Sequence, residues 1–311
     1  PAIVNKVASL DGTRFDVERE VTVTAGATQA LFTAIAAFVR PGDEVIVFNP
    51  VYDSYAPAIE TVGGTVVHAH LRFPDYAPDW SEVAALVTPR TRMIVVNSPH
   101  NPTGSLLSAV DLEKLAEIVR GTDIVVLSDE VYEHIVFDGA QHESLCAHPE
   151  LAARSLVVSS FGKTYHVTGW KIGYIVCPQA LMAEFRKVHQ FNVFTVHAPS
   201  QLALADYMQD AARHAALAGF YEQKRDCFLD LMAGTPFEWL PCRGTYFQLA
   251  RYGHFSDLPD RAFAEWLARE VGVAVIPVSA FNHDGRDERV VRFCFAKREE
   301  TLAEAAHRLK R

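Results

Sequence analysis

Short apolar runs alternate along this chain with longer segments in which apolar residues recur every three or four positions. The runs at 20–24 (EVTVT), 44–48 (EVIVF), 65–68, 92–97 (RMIVVN), 124–128 (IVVLS), 155–159 (SLVVS) and 172–176 (IGYIV) have the length and β-branched content of strands. Several show no polar alternation, the pattern of strands covered on both faces. Between them, 29–38, 56–61, 109–119 and 180–190 have helical spacing. This βαβ rhythm predicts an α/β fold: a mostly parallel sheet with helices on both faces, three layers in all.

After about Ser200 the texture changes. Long helical stretches (QLALADYM, GFYEQKRDCFLDLM) lead into short strands near 245–249, 273–276 and 290–295 and helices at 260–270 and 299–310. They predict a smaller α+β unit. The expected division falls within the long helices, with a large domain over 15–215 and a small one over 216–311 joined by 1–14. There is no internal repeat and no low-complexity tract.

Composition narrows the function. A length of 311 residues, 49% hydrophobic and 22% charged, suits two globular domains. The formal net charge of −9 argues against a nucleic-acid or membrane-surface partner. No apolar run approaches the roughly 18 residues of a membrane span, and the opening PAIVNKVASLDG has no signal-peptide character. Cys146, Cys177, Cys227, Cys242 and Cys294 form no CxxC pair and no zinc-like spacing. They read as core thiols of a reducing, cytoplasmic compartment.

Ligands of a doubly wound sheet bind outside the carboxyl ends of its strands. The segments that follow the strands are AGAT (25–28), NPVYDSY (49–55), NSPHNPTG (97–104), SDEVYEH (128–134) and SSFGKT (159–164), all polar, glycine-rich or aromatic. AGAT offers either a helix start for an anion or a plain turn capped by Thr28. Asn101 either satisfies its own turn or presents an amide to a ligand. Asp129, at the end of an apolar run, either caps a following helix or faces a protonated partner. GKT is no phosphate loop, because Val157 stands where GxxxxGKT needs glycine. It leaves Lys163 as a candidate amine nucleophile at the sheet rim, with Ser160 and Lys171 suited to a phosphate. Arg292, in the apolar strand VVRFCFAK, pairs with a carboxylate of the protein or of a ligand.

Together AGAT, NPxYDxY, NSPHNPTG, SDEVYEH, SSFGKTYHVTGWKIGY and VRFCFAK resemble, in order and spacing, the class I/II aminotransferases. These are fold-type I pyridoxal-phosphate enzymes. The resemblance is closest to the branch of methionine, kynurenine and glutamine aminotransferases. It implies that Lys163 forms the Schiff base with pyridoxal 5′-phosphate and carries the proton, that Asp129 pairs with the pyridine nitrogen, and that Tyr132 and Asn101 bond the ring hydroxyl. It further implies that Tyr52 stacks on the ring, that Ala27, Thr28, Ser160 and Lys171 hold the phosphate, and that Arg292 takes the substrate carboxylate. Many members have arginine where Lys171 stands; lysine keeps the charge and gives up the bidentate fork.

The implied reaction is transfer of an amino group from an apolar, sulfur-containing or aromatic amino acid, methionine first, to a 2-oxo acid by a ping-pong route. Tyr55, Phe194 and Tyr246 are the candidate pocket aromatics, and a homodimer with its sites at the interface is expected. The alternatives are a cysteine-conjugate C–S β-lyase and a non-catalytic effector domain of a transcription regulator. Family members carry several dozen residues ahead of the point where this sequence begins. The expectation is therefore a longer protein, with a truncated form as the alternative.

Overall fold

The computed structural model describes residues 1–210 and 212–310; positions 211 and 311, within the expected units 15–215 and 216–311, lie outside them. Its centre is an eight-stranded sheet built from β1 (Val21–Thr24), β2 (Glu44–Asn49), β3 (Thr65–Arg72), β4 (Ala77–Pro78), β5 (Thr91–Asn97), β6 (Val125–Asp129), β7 (Ser155–Ser160) and β8 (Gly173–Val176). The spatial order is β1-β8-β7-β6-β5-β2-β3-β4. β3, β2, β5, β6 and β7 run parallel, whereas β8 runs antiparallel to both β7 and β1.

The apolar runs are continuous because successive residues feed opposite faces. Val125 and Leu127 of β6 pack with Leu31, Ile35 and Phe38 of the helix Ala27–Phe38 and with Met182 and Phe185 of Gln179–Asn192. Val126, between them, packs on the other face with Leu112, Leu115 and Val119 of the helix Ala109–Val119. Fully burying one such aliphatic side chain stabilises by about 1.5–3 kcal/mol, so both helical layers are held by the strands that the pattern identifies. The three-layer α/β architecture expected from the sequence is present.

A second, antiparallel sheet of four strands comprises β9 (Glu238–Trp239), β10 (Phe247–Arg251), β11 (Ile276–Pro277) and β12 (Val290–Cys294), in the order β11-β12-β10-β9. On one face Phe228, Phe237, Phe263, Phe293 and Phe295 meet in a cluster that also takes in Val131, Ile135 and Phe137, while Leu249 and Val290 join the cluster of the first sheet. The strand expected over 273–276 is observed only at Ile276–Pro277, and the helix from Asp260 continues as a π-helical turn through Val271. Residues 2–11 form a helix that the pattern does not suggest (Ala2–Asp11, α1). Expected with the smaller unit, this segment instead puts Lys6 against Glu133 and Tyr174 of the larger one.

Candidate active site

Strand direction gathers the site. β5, β6 and β7 end at one rim with Asn97, Asp129 and Ser160, and β1, parallel to β7, ends there before Gly26. β8 runs the other way, so its beginning, next to Lys171, returns to the same rim. A cavity of about 150 Å³ lies there, and its walls include Ala27, Thr28, Tyr52, Asn101, Asp129, Tyr132, Ser160, Lys163 and Lys171. Asn97, which carries no role in the sequence reading, is a further wall residue.

One end of the cavity suits an anion. The helix Ala27–Phe38 starts without a side-chain cap, and its N-cap is Gly26 rather than Thr28. The N–H groups of its first turn lack helical acceptors and carry the positive end of the helix dipole. Gly26 has φ +80, and a Cβ there would lie 3.3 Å from Lys171 Cε, so only glycine lets the lysine cover the helix start. Ser160 Oγ accepts from Gly162 N–H at 3.2 Å, which leaves its hydroxyl hydrogen for another acceptor.

At another wall stands Asp129, only 4% exposed. No helix follows it; residues 131–134 form a turn, so the helix-cap alternative does not hold. Its Oδ2 accepts from Tyr55 Oη at 2.7 Å and its Oδ1 from Val131 N–H at 3.3 Å. Burial pushes the carboxyl up to about 6, although those two hydrogen bonds and the Lys163 charge pull the other way. Such a group favours a proton-bearing partner. Asn97 braces it from behind, donating from Nδ2 to the Asp129 carbonyl at 2.8 Å and accepting from the Asn101 N–H at 2.8 Å.

Lys163 lies on the short helix Phe161–Thr164, directly after β7. Its Nζ donates to Tyr246 Oη at 2.9 Å and stands 5.5 Å from the Tyr132 ring centroid. The amine therefore has a held position rather than the freedom of a solvated loop.

Arg292, on β12, reaches the site from the second sheet. Its Nη1 donates to Asn101 Oδ1 at 2.6 Å, and its guanidinium lies 3.9 Å from the Phe247 ring centroid and 4.9 Å from that of Phe281. Its Nε is buried without a partner among the described residues. The protein supplies this cation with an amide and two ring faces. An unmatched buried donor in such a slot calls for an incoming carboxylate.

One expectation changes. Tyr55 does not line the cavity: it is 3% exposed and spends its hydroxyl on Asp129. Phe194 is 81% exposed in the single chain and is not among the walls that this chain gives the cavity. Tyr246 keeps its place at the site, through Lys163. Apart from the letters of NPVYDSY and NSPHNPTG themselves, nothing in the pattern distinguishes Tyr55 or Asn97 as supports of Asp129.

A cavity with an anion seat, a held lysine, a buried carboxyl and a waiting guanidinium is equipped for chemistry on an amino acid. The whole chain agrees. Residues 1–309 match the model of the family "Aminotransferase class I and II". The chain is 50% identical over 310 residues to the methionine aminotransferase of Escherichia coli, covering 99% of this chain and 80% of that protein. It is 34% identical to rat kynurenine–oxoglutarate transaminase 1, covering 100% of this chain and 82% of the relative. The crystal structure of an Escherichia coli protein identified as having a methionine aminotransferase function superimposes with a TM-score of 0.97 at 49% identity, over 99% of this chain and 81% of that one. The chain is an enzyme belonging to the class I and II aminotransferases, a family whose members depend on pyridoxal phosphate.

Proposed function

We propose that the cavity binds pyridoxal 5′-phosphate and that the enzyme moves the amino group of methionine, or of a related apolar or aromatic amino acid, to a 2-oxo acid by a ping-pong route. The observation that carries the reading is the enclosure of Lys163 in one cavity between the Lys171-covered helix start and the buried Asp129, with Arg292 alongside. The residues fit the cofactor by their chemistry: Lys171, Ser160 and the N–H groups of Ala27 and Thr28 for a phosphate, Tyr52, Asn101 and Tyr132 for the ring and its hydroxyl, and Asp129 for a basic ring nitrogen.

When bound, the cofactor supplies an aldehyde for the amino group and a conjugated ring that takes up electrons from the substrate Cα. Asp129 holds a proton at the ring nitrogen. Arg292 and the Asn101 amide fix the substrate carboxylate, which sets the direction of the Cα–H bond. Lys163 Nζ would accept the proton from Cα; positioned proton transfer of this kind contributes about 10²- to 10⁴-fold.

Methionine is supported by the relative at 50% identity. A homodimer is supported by the apolar surface at Phe191, Phe194 and Leu202, all strongly exposed in the single chain. The scatter of the cysteines along the sequence, with no CxxC pair, suits a reducing cytoplasm. Among the described residues, no helix is long and apolar enough to cross a membrane. The phenylalanine cluster on one face of the second sheet, apart from the Ala27–Phe38 and Gln179–Asn192 layer of the first, supports a division near residues 215–216.

The test is Lys163→Ala. The parent chain should take up pyridoxal phosphate with a shifted absorbance that methionine then converts, and the variant should lose that absorbance. An unchanged spectrum rejects the assignment. A panel of amino donors, followed at the same absorbance, ranks methionine against aromatic amino acids.

A further inference from the structure

Tyr246 sits in the sequence GTYF at a turn of unusual construction. Thr245 is fully buried and adopts φ +68, a left-handed conformation rarely taken by a β-branched residue. Its N–H donates to the Ile135 carbonyl at 3.0 Å, and its Oγ1 accepts from Phe247 N–H at 3.2 Å. At Gly244 a Cβ would come within 2.8 Å of both the Ile135 carbonyl oxygen and Pro99 Cβ. The turn is thus clamped against the Pro99 loop and the segment that follows Asp129. Backbone strain of this kind persists only where surrounding contacts impose it.

The clamp delivers one hydroxyl. Tyr246 Oη accepts from Lys163 Nζ at 2.9 Å and receives a longer, 3.4 Å contact from Tyr132 Oη. Its ring is fixed edge-to-face against Tyr132, at 5.3 Å and 85°, and lies 5.7 Å from Tyr221.

We propose that Tyr246 is a further catalytic residue, whose hydroxyl holds the Lys163 amine in place whenever that amine is not bonded to the cofactor. The proposal rests on the reading of Lys163 as the reacting amine. An untethered lysine side chain would sample many rotamers after its displacement, and each wrong one delays proton transfer at Cα. The phenol accepts a hydrogen from the nitrogen and leaves the nitrogen's remaining positions for the substrate proton. No bond is made or broken by Tyr246 itself.

The experiment compares the parent chain with Tyr246→Phe, which removes one oxygen and keeps the ring packing, and with Tyr221→Phe as a control. In the full chain without cofactor, Lys163 is reductively methylated with formaldehyde and a borohydride and followed by mass spectrometry. Lys163 in Tyr246→Phe should be labelled about ten-fold faster, the scale of one hydrogen bond to a charged group, while Tyr221→Phe matches the parent. With cofactor, kcat should fall by about ten-fold at nearly constant KM, and the isotope effect of a Cα-deuterated donor should rise. Equal labelling of Lys163 in Tyr246→Phe and the parent overturns the proposal, and so does an unchanged isotope effect. A parent chain with no Lys163-dependent cofactor absorbance overturns the cofactor reading instead, and the labelling comparison, made without cofactor, is still decisive for the bond.

Discussion

The hydroxyl of Tyr55 donates to Oδ2 of Asp129 across 2.7 Å, from the first residue of the helix Tyr55–Thr61. The bond opposes the effect of burial on that carboxyl and helps to keep it ionised. In Tyr55→Phe the Asp129 carboxyl should titrate still higher than about 6, so that its neutral fraction at pH 7 grows. Affinity for pyridoxal phosphate should fall about ten-fold at pH 7, and the deficit should narrow as pH rises and both proteins ionise. Fluorescence titrations of the cofactor between roughly pH 6 and 9 check this; a pH-independent deficit contradicts it.

Asp129 also couples stability to pH. Its folded value of about 6 lies above the ordinary 3.8, so the folded chain binds the proton more tightly than the unfolded one. This contribution is fully present below the unfolded value and is lost as pH rises through the folded one. Above that range Asp129→Asn, which stays neutral, should stabilise the cofactor-free protein by about 2–3 kcal/mol. With cofactor the order should reverse, because an amide cannot hold the ring proton. Thermal melts with and without cofactor test both halves, and a less stable cofactor-free variant at neutral pH would refute the account.

Arg292 should separate substrate binding from cofactor binding. Arg292→Lys keeps the charge but loses the planar fork that lies over Phe247 while bonding Asn101. KM for the amino donor should rise by about a hundred-fold, with cofactor affinity unaltered. Steady-state kinetics beside a cofactor titration read the two effects apart, and a matching loss of cofactor affinity would place Arg292 elsewhere in the mechanism.

Lys6 and Glu133 form a buried ion pair beneath the site; Lys6 Nζ also donates to Tyr174 Oη at 2.9 Å, and Glu133 Oε1 accepts from Ser159 Oγ at 2.5 Å. Burial alone would raise the Glu133 carboxyl, but the Lys6 charge and the added hydrogen bonds hold it at about 2. The stability it contributes is present above the ordinary carboxylate range and is lost as pH falls toward that value. Lys6→Met, which strands the carboxylate, should cost about 3–5 kcal/mol, and adding Glu133→Gln should restore part of it. Denaturant midpoints of the two single variants and the double variant decide whether α1 is fastened in this way.

The ends of parallel strands are legible in the sequence because an apolar run that stops at a polar residue marks both the strand and its rim. Asn97, Asp129 and Ser160 all lie at such stops. Lys171 is different. It precedes its strand, and only the reversed direction of β8 brings it to the rim; direction depends on pairing, which a single run does not encode. Tyr55 reads as a pocket aromatic because the letters YDSY do not say which ring faces inward. The helix of residues 2–11 is hidden by Lys6, a charge on the buried side of an otherwise apolar stripe. Asp129 opens no helix because the N–H of Glu130 is already bonded to the Val158 carbonyl at 2.9 Å, continuing the sheet one residue further.

The reversal of β8 has a consequence for how this region can vary. Ser160 pairs with Gly173, so residues 161–172 form the closed end of a hairpin that carries the amine of Lys163 and the charge of Lys171. The two cations stand at a separation set by that loop, one over the helix start and one beside Tyr246. Exchanging a neutral loop residue alters a contact; inserting or deleting one resets the ruler and pulls amine and anion seat out of step. Along this stretch, length is the property under the tightest restraint.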